Sequence, residues 1–220
     1  MITYGVSMSL DGFVAGPDQS PKHPLGVHGE LLHDWMRKLA VWRRAAGLRG
    51  GITNANTKVF LEEDPNPGAL LMGRNMFGGG PGPWDTPVWN GWWGKDPPFH
   101  LPVFVLTHYE REPLVCKGGT TFHFVTRGTT AAVRLAKGAA NGKDVGICGG
   151  AGVAKQFIQA GLIDEINVHL VPVFLGEGVR LFDAGSLSKV RLRQVRVVEG
   201  PGVTHLTYRV ERPSDPKRRK

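Results

Sequence analysis

Apolar and polar positions alternate in short bursts along this chain, and the period of each burst predicts an element. Positions 2–10 are small and apolar and read as a strand, broken by Asp11-Gly12. Phe13-Val14-Ala15 follows and ends at Gly16-Pro17-Asp18, so the chain turns twice in quick succession. Leu31, Leu32, Trp35, Met36, Leu39 and Trp42 recur at helical spacing, which predicts one amphipathic helix over 30–46. Positions 47–57 read as a loop, and 58–63 as a short helix stopped by Pro65 and Pro67. The apolar runs 69–72, 102–107, 122–126 and 144–148 read as strands. Position 74 begins a helix over 74–77, and further helices are expected over 129–140 and 153–160. A longer strand, 163–173, carries Ile166, Val168 and Leu170 in alternation. Period-two patterning over 190–199 and 203–211, around Gly200-Pro201-Gly202, predicts a closing antiparallel hairpin.

Strands alternate with helices through the middle of the chain. That order predicts a mixed, mostly parallel α/β sheet with an antiparallel edge. Ligands of such sheets gather at the carboxyl ends of the parallel strands. Here those ends are Asp11-Gly12, Gly73-Arg74, Thr107-His108, Thr126 and Gly149-Gly150-Ala151-Gly152, which together outline one crevice. The glycines at 149–152 follow an apolar run and open a helix. Such a turn lets backbone approach an anion and aims free amides at it, so it reads as a phosphate cradle. A tight strand-to-helix turn is the plainer reading of the same residues. Segment 78–98 holds six glycines, five prolines and four tryptophans. Its aromatic content points to an ordered loop with its own packing, not a linker.

At 220 residues the chain suits one sizeable domain, 1–211, with no internal repeat. No run approaches a membrane span, and the first residues read as a strand of the mature fold, not as a leader. Two cysteines, Cys116 and Cys148, supply neither a disulfide framework nor a metal-binding pattern, so no metal is expected and a reducing cytoplasm fits best. The net charge is +8, but four of the positive residues are the last four, Lys217-Arg218-Arg219-Lys220. Residues 212–220 are expected to be a disordered basic tail. The rest of the charge is dispersed, which argues against nucleic-acid binding as a primary role.

Several stretches resemble the dihydrofolate reductase superfamily, and more narrowly the reductase half of the bifunctional riboflavin-biosynthesis deaminase/reductase in its stand-alone bacterial branch. They are Ser9-Leu10-Asp11-Gly12-Phe13-Val14-Ala15-Gly16, Leu71-Met72-Gly73-Arg74, positions 103–108, 120–126 and 149–157, and Gly161-Leu162-Ile163-Asp164-Glu165. His169-Leu170-Val171-Pro172-Val173-Phe174-Leu175-Gly176-Glu177-Gly178 with Leu181-Phe182 completes the ordered set. The resemblance implies an eight-stranded α/β reductase fold, NADPH as cofactor and a homodimer. It places Gly149, Gly150, Ala151, Gly152 and Val153 at the cofactor pyrophosphate, and Gly73 and Arg74 at its 2′-phosphate. Thr107 and His108 then lie on the other side of that phosphate, with Thr126 at the neighbouring strand end. Asp11, Ala15 and Gly16 match a loop over the nicotinamide. Asp34 and Trp35 match the helix on which folate reducers carry their substrate carboxylate. Met76 stands where the family often has threonine, so one hydroxyl to the phosphate is missing. The zinc motif of the deaminase half is absent.

Each candidate has a plainer alternative. Arg74 could neutralise a surface acid, and Asp11 could only form its turn. Thr107 and His108 could be strand-end residues without a ligand. Asp34 could be a solvated acid, Trp35 a core aromatic, and Trp84 loop core in place of a stacking surface for a planar substrate. The functional expectation is an NADPH-dependent reductase acting on a pterin-like or ribosylamino-pyrimidine substrate, with Asp11 and Asp34 as candidate catalytic groups. A flavin or deazaflavin in the same crevice, or a nucleotide-binding protein without turnover, are the alternatives. The hairpin and the strand at 166–173 are candidate dimer edges.

Overall fold

The computed structural model describes residues 1–20, 22–63, 67–80, 82–85, 88–182, 187 and 190–211. The expected basic tail therefore lies outside the described residues. In chain order the strands are β1 (Ile2–Ser9), β2 (Phe13–Ala15), β3 (Ala69–Gly73), β4 (Pro102–Leu106), β5 (Leu114–Val115) and β6 (Thr121–Val125). They continue with β7 (Val145–Cys148), β8 (Glu165–Val171), β9 (Val179–Arg180), β10 (Arg191–Gly200) and β11 (Val203–Glu211). The helices are α1 (Asp34–Arg37), α2 (Ala40–Ala45), α3 (Ala55–Glu62), α4 (Arg74–Phe77), α5 (Gly128–Ala139) and α6 (Ala151–Gln159).

Nine described strands form one sheet in the order β10-β11-β8-β1-β7-β3-β4-β6-β5, and β2 pairs with β9 in a separate ribbon. The six strands from β8 to β6 are parallel. The hairpin β10–β11 and the short β5 are antiparallel additions at the two edges. The expected mixed, mostly parallel sheet with a closing hairpin is thus observed, with nine main strands in place of eight. β5 is the unforeseen member: two residues are too short to show a period.

Helices α5 and α6 cover one face. Ala132, Val133, Ala136, Val153, Phe157 and Ile158 pack there on Tyr4, Leu71 and Ile147. The opposite face has two clusters. One sets Leu32, Trp35 and Leu39 against Val171 and Val203. The other sets Met72, Val103, Val105 and Phe122 against Trp84, Trp89 and Trp93 of the long loop. Those tryptophans pack the long loop onto the sheet, in line with the ordered loop expected from its aromatic content. No described helix is long and apolar enough to cross a membrane.

The single helix expected over 30–46 is broken. A 3-10 turn (Gly29–His33) leads into α1, and Leu39 then takes an extended conformation with ψ 135° before α2 begins. The cause is a returning segment. Ile52 donates its amide to the Lys38 carbonyl, and Ala40 donates to the Ile52 carbonyl. Gly51 permits this approach, since a Cβ there would lie 2.7 Å from the Ala40 backbone. α3 also begins earlier than expected. Asn54 caps it, its side chain accepting from the Asn56 amide at 2.9 Å while Thr57 Oγ1 accepts from the Asn54 amide. Of the two suggested dimer edges, β8 is not one: it is paired on both sides, and β10 ends the sheet.

Candidate functional site

Parallel strands put their carboxyl ends on one side of the sheet, so the ends of β1, β7, β3, β4 and β6 converge as expected. At the centre β7 runs into Gly149, whose φ is +142°, and α6 follows. Gly150 is the N-cap, and no side chain caps the helix. Its first amides have no intrahelical acceptor and keep their capacity for an anion. A Cβ added at Gly150 or Gly152 would meet nothing within 4 Å, so the backbone faces open space. Cys148, just before the loop, is half-buried, and desolvation pushes its thiol up to about 11.

The next strand end brings Gly73 and Arg74 alongside. A Cβ at Gly73 would lie 3.2 Å from the Val153 side chain, so α6 sits close against this strand end. Met76, in the position that lacks the family hydroxyl, packs beside Gly149. Arg74 is held in place from several sides. Its Nε donates to the Gly78 carbonyl at 3.0 Å and Nη2 to the Gly79 carbonyl at 2.9 Å. Nη1 reaches Thr107 Oγ1 at 3.4 Å. The guanidinium carbon lies 3.3 Å from the centroid of the Trp84 ring. One N–H on each terminal nitrogen remains for a ligand. Burial lowers the Arg74 pKa, with Asp85 acting in the other direction. A partly desolvated cation of this kind gains most from an anionic partner.

Thr107 is buried, and its hydroxyl also accepts from the Tyr109 amide at 3.2 Å, whereas His108 is exposed. Arg111, which sequence reasoning did not single out, sits 4.8 Å from the Trp84 centroid and 4.7 Å from that of Phe124. It donates to the Trp89 carbonyl and to Asn90 Oδ1. Its pKa is lowered by burial and by Arg74. Arg111 and Thr126 share a groove of about 680 Å³ with Glu110, Phe124 and Arg127. No motif marks Arg111; only the fold of the tryptophan loop brings it to Arg74. Trp84 belongs with this cationic group, packed under Arg74.

At the end of β1, Asp11 bridges two segments. It accepts from Ser9 Oγ at 2.6 Å, from the Leu175 amide at 3.2 Å and from the Gly176 amide at 2.7 Å. The Ser9 hydroxyl and these amides hold its carboxyl below the usual range. Arg180 donates to the Asp11 carbonyl. Ala15 is buried in the β2–β9 ribbon, and a Cβ at Gly178 would lie 2.2 Å from the Ala15 carbonyl oxygen.

Asp34 and Trp35 line a second cleft of about 390 Å³, together with Lys38, Asn56, Val171 and Pro201. Asp34 is exposed and lies 3.9 Å from Lys38 Nζ. Trp35 is buried and donates its indole N–H to Ser7 Oγ at 3.1 Å. Its ring packs on His169 and His205, with centroids 4.8 and 4.9 Å away. The two histidines form a chain with Glu63 and Asn56 that sequence reasoning missed. Burial, with His169 and Arg196 adding to it, pushes His205 down to about 4.

A model of the RibD C-terminal domain matches residues 1–206 of the chain. Among solved structures, a putative riboflavin biosynthesis protein from Shewanella sp. PV-4 superposes with a TM-score of 0.61 at 21% identity, covering 96% of this chain and 99% of that one. A diaminohydroxyphosphoribosylaminopyrimidine deaminase/5-amino-6-(5-phosphoribosylamino)uracil reductase from Thermotoga maritima superposes with a TM-score of 0.56 at 13% identity, over 95% of this chain and 56% of that one. The riboflavin biosynthesis reductase Rib7 of Saccharomyces cerevisiae gives 0.53 at 13% identity, over 96% and 88% of the two chains. An uncharacterized Bacillus subtilis protein, YyaP, is 37% identical over 68 residues, which are 30% of this chain and 36% of that protein.

Proposed function

On the premise that the chain belongs to the RibD C-terminal domain family, we propose that it is an NADPH-dependent reductase acting on a small heterocycle of the pyrimidine or pterin class. The observation that carries this reading is the juxtaposition of the open glycine turn before α6 with the Arg74–Thr107 pair, on neighbouring parallel strands. An anion cradle and a cation spaced along one row of strand ends suit a ligand with phosphates at two places.

The residues fit the cofactor. Gly150 and Gly152 leave space that a Cβ would fill, and the amides of Ala151, Gly152 and Val153 would hold the pyrophosphate. Arg74 would take the 2′-phosphate with its remaining donors, with Trp84 packed on the guanidinium and Thr107 fixing its edge. His108 and Thr126 would flank that phosphate, and Arg111 would add positive potential. When bound, NADPH supplies the hydride. The protein positions the reacting groups and excludes water. Ala15 walls the nicotinamide end. Asp11 acts by tying the β1 turn to the loop at Leu175 and Gly176, with every carboxylate oxygen engaged. Asp34 holds a polar edge of the substrate, and Trp35 forms a rigid wall beside it.

The test is thermal unfolding with NADPH against NADH. At a hundredfold excess over Kd a ligand adds about 2.7 kcal/mol, roughly 5–10 °C for a domain of this size. The expected result is a large shift with NADPH, a small one with NADH, and loss of the NADPH shift in Arg74→Ala. No shift with either nucleotide would remove NADPH as the cofactor, and a yellow protein would point to a flavin. Oxidation of NADPH across pyrimidine and pterin substrates then separates an enzyme from a binding protein.

A further inference from the structure

His169 on β8 and His205 on β11 are register partners across the antiparallel pair, and both rings are buried beneath Trp35. Their Nδ1 atoms face each other at 2.8 Å. The outer nitrogens face acceptors: His169 Nε2 lies 2.9 Å from Glu63 Oε2, and His205 Nε2 lies 3.1 Å from Asn56 Oδ1. The Asn56 amide has only one sensible orientation. Its Nδ2 donates to the Pro201 carbonyl at 3.1 Å, and a carbonyl can only accept. Asn56 Oδ1 must then take a proton from His205 Nε2, which leaves His205 Nδ1 with a lone pair. Two imidazoles thus meet nitrogen to nitrogen, each with its outer N–H held by a carboxylate or a carbonyl. That is the support found behind metal-bound histidines, where such a partner sets the tautomer and aims the free nitrogen.

We propose that His169 and His205 form a site for an imidazole-preferring divalent ion of the zinc, cobalt or nickel class, bound through both Nδ1 atoms, with Glu63 and Asn56 as outer supports. In the apo protein a proton bridges the two nitrogens, and the incoming ion displaces it to solvent. Two nitrogens on a tetrahedral ion with bonds of about 2.0–2.1 Å lie about 3.3 Å apart; the ring centroids, 5.0 Å apart, put the nitrogens nearly head-on, so both rings must turn off their common line as well as separate for one ion to meet both. Candidate ligand atoms of Glu63, His169 and His205 all lie within 4.8 Å of one another. Arg196, also close to His205, is neutralised by Glu62 at 2.8 Å. The ion would join α3, β8 and β11, which are far apart in sequence, beside the cleft that Trp35 and Asn56 line.

The experiment is a calorimetric titration of untagged, chelator-treated protein with Zn²⁺ in two buffers of different ionisation heat, with Tm read alongside. The expected result is one ion per chain, release of one proton and a raised Tm. Binding should be lost in His169→Gln and His205→Gln and weakened about 10–100-fold in Glu63→Gln. Should the histidine variants fail to fold, side-chain histidine NMR of the wild-type protein decides: Co²⁺ should broaden the Nδ1 signals of these two rings before those of exposed histidines. No binding of Zn²⁺, Co²⁺ or Ni²⁺ at millimolar concentration would overturn the assignment. So would binding that survives both histidine substitutions, or binding without proton release.

Discussion

A carboxylate at a strand end can move protons or tie loops together, and the hydrogen bonds of Asp11 do the second. Its folded pKa is lowered, chiefly by the Ser9 hydroxyl, so its contribution to stability is present above the ordinary aspartate value and is lost as pH falls through the folded one. Asp11→Asn should therefore be less stable than the wild type at neutral pH and lose less stability on acidification. Urea unfolding at a series of pH values checks this, and parallel curves for the two proteins would refute it. Cys148 presents the opposite shift: burial pushes its thiol to about 11. In native protein at pH 8 it should react with iodoacetamide far more slowly than in urea, measured by mass spectrometry of the Cys148 peptide. The turn at Asp11-Gly12 was legible because Asp-Gly is a local signal. Its partners at Leu175 and Gly176 were not, because they lie 164 and 165 residues away.

At the scale of elements, two glycines of the crevice make different demands. At Gly73 an added methyl would meet the Val153 Cβ at 3.2 Å, so Gly73→Ala forces α6 to give by a few tenths of an ångström and should change Tm. Gly150 has a negative φ of −79° and open space around it. Gly150→Ala should leave Tm nearly unchanged and yet weaken NADPH about tenfold or more, because the methyl occupies the cradle. Paired Tm and nucleotide-titration measurements separate the two; a Gly150→Ala protein that binds NADPH normally would argue against the cradle. Most elements were visible from their periods. The helix over 30–46 was the misreading, because Leu31 to Trp42 keep helical spacing although a β-bridge from Leu39 to Ile52 interrupts the backbone. Apolar spacing reports which side chains face inward, and a broken helix packed on the same sheet buries nearly the same set.

For the whole molecule, α6 connects the core to the glycine turn: Phe157 is fully buried, while the helix starts at Gly150 with no side-chain cap. Phe157→Ala should cost about 3–5 kcal/mol and lower Tm by roughly 6–20 °C in a scanning calorimeter. Strand β8 illustrates what long-range structure adds. Ile166, Val168 and Leu170 marked one face, but Asn167, His169 and Val171 are buried as well, because α1 and α3 cover the other side. By itself the sequence determined the order of strands and helices, the α/β class, the closing hairpin and the glycine turn before α6. These are set by local periodicity and by backbone preferences within a few residues. Tertiary structure alone decided that Arg74 lies on Trp84 beside Arg111, that Asp11 reaches Gly176, and that Glu63, His169 and His205 meet under Trp35. Such contacts join residues that share no period, and only packing of the finished sheet against its covering layers brings them within hydrogen-bonding distance.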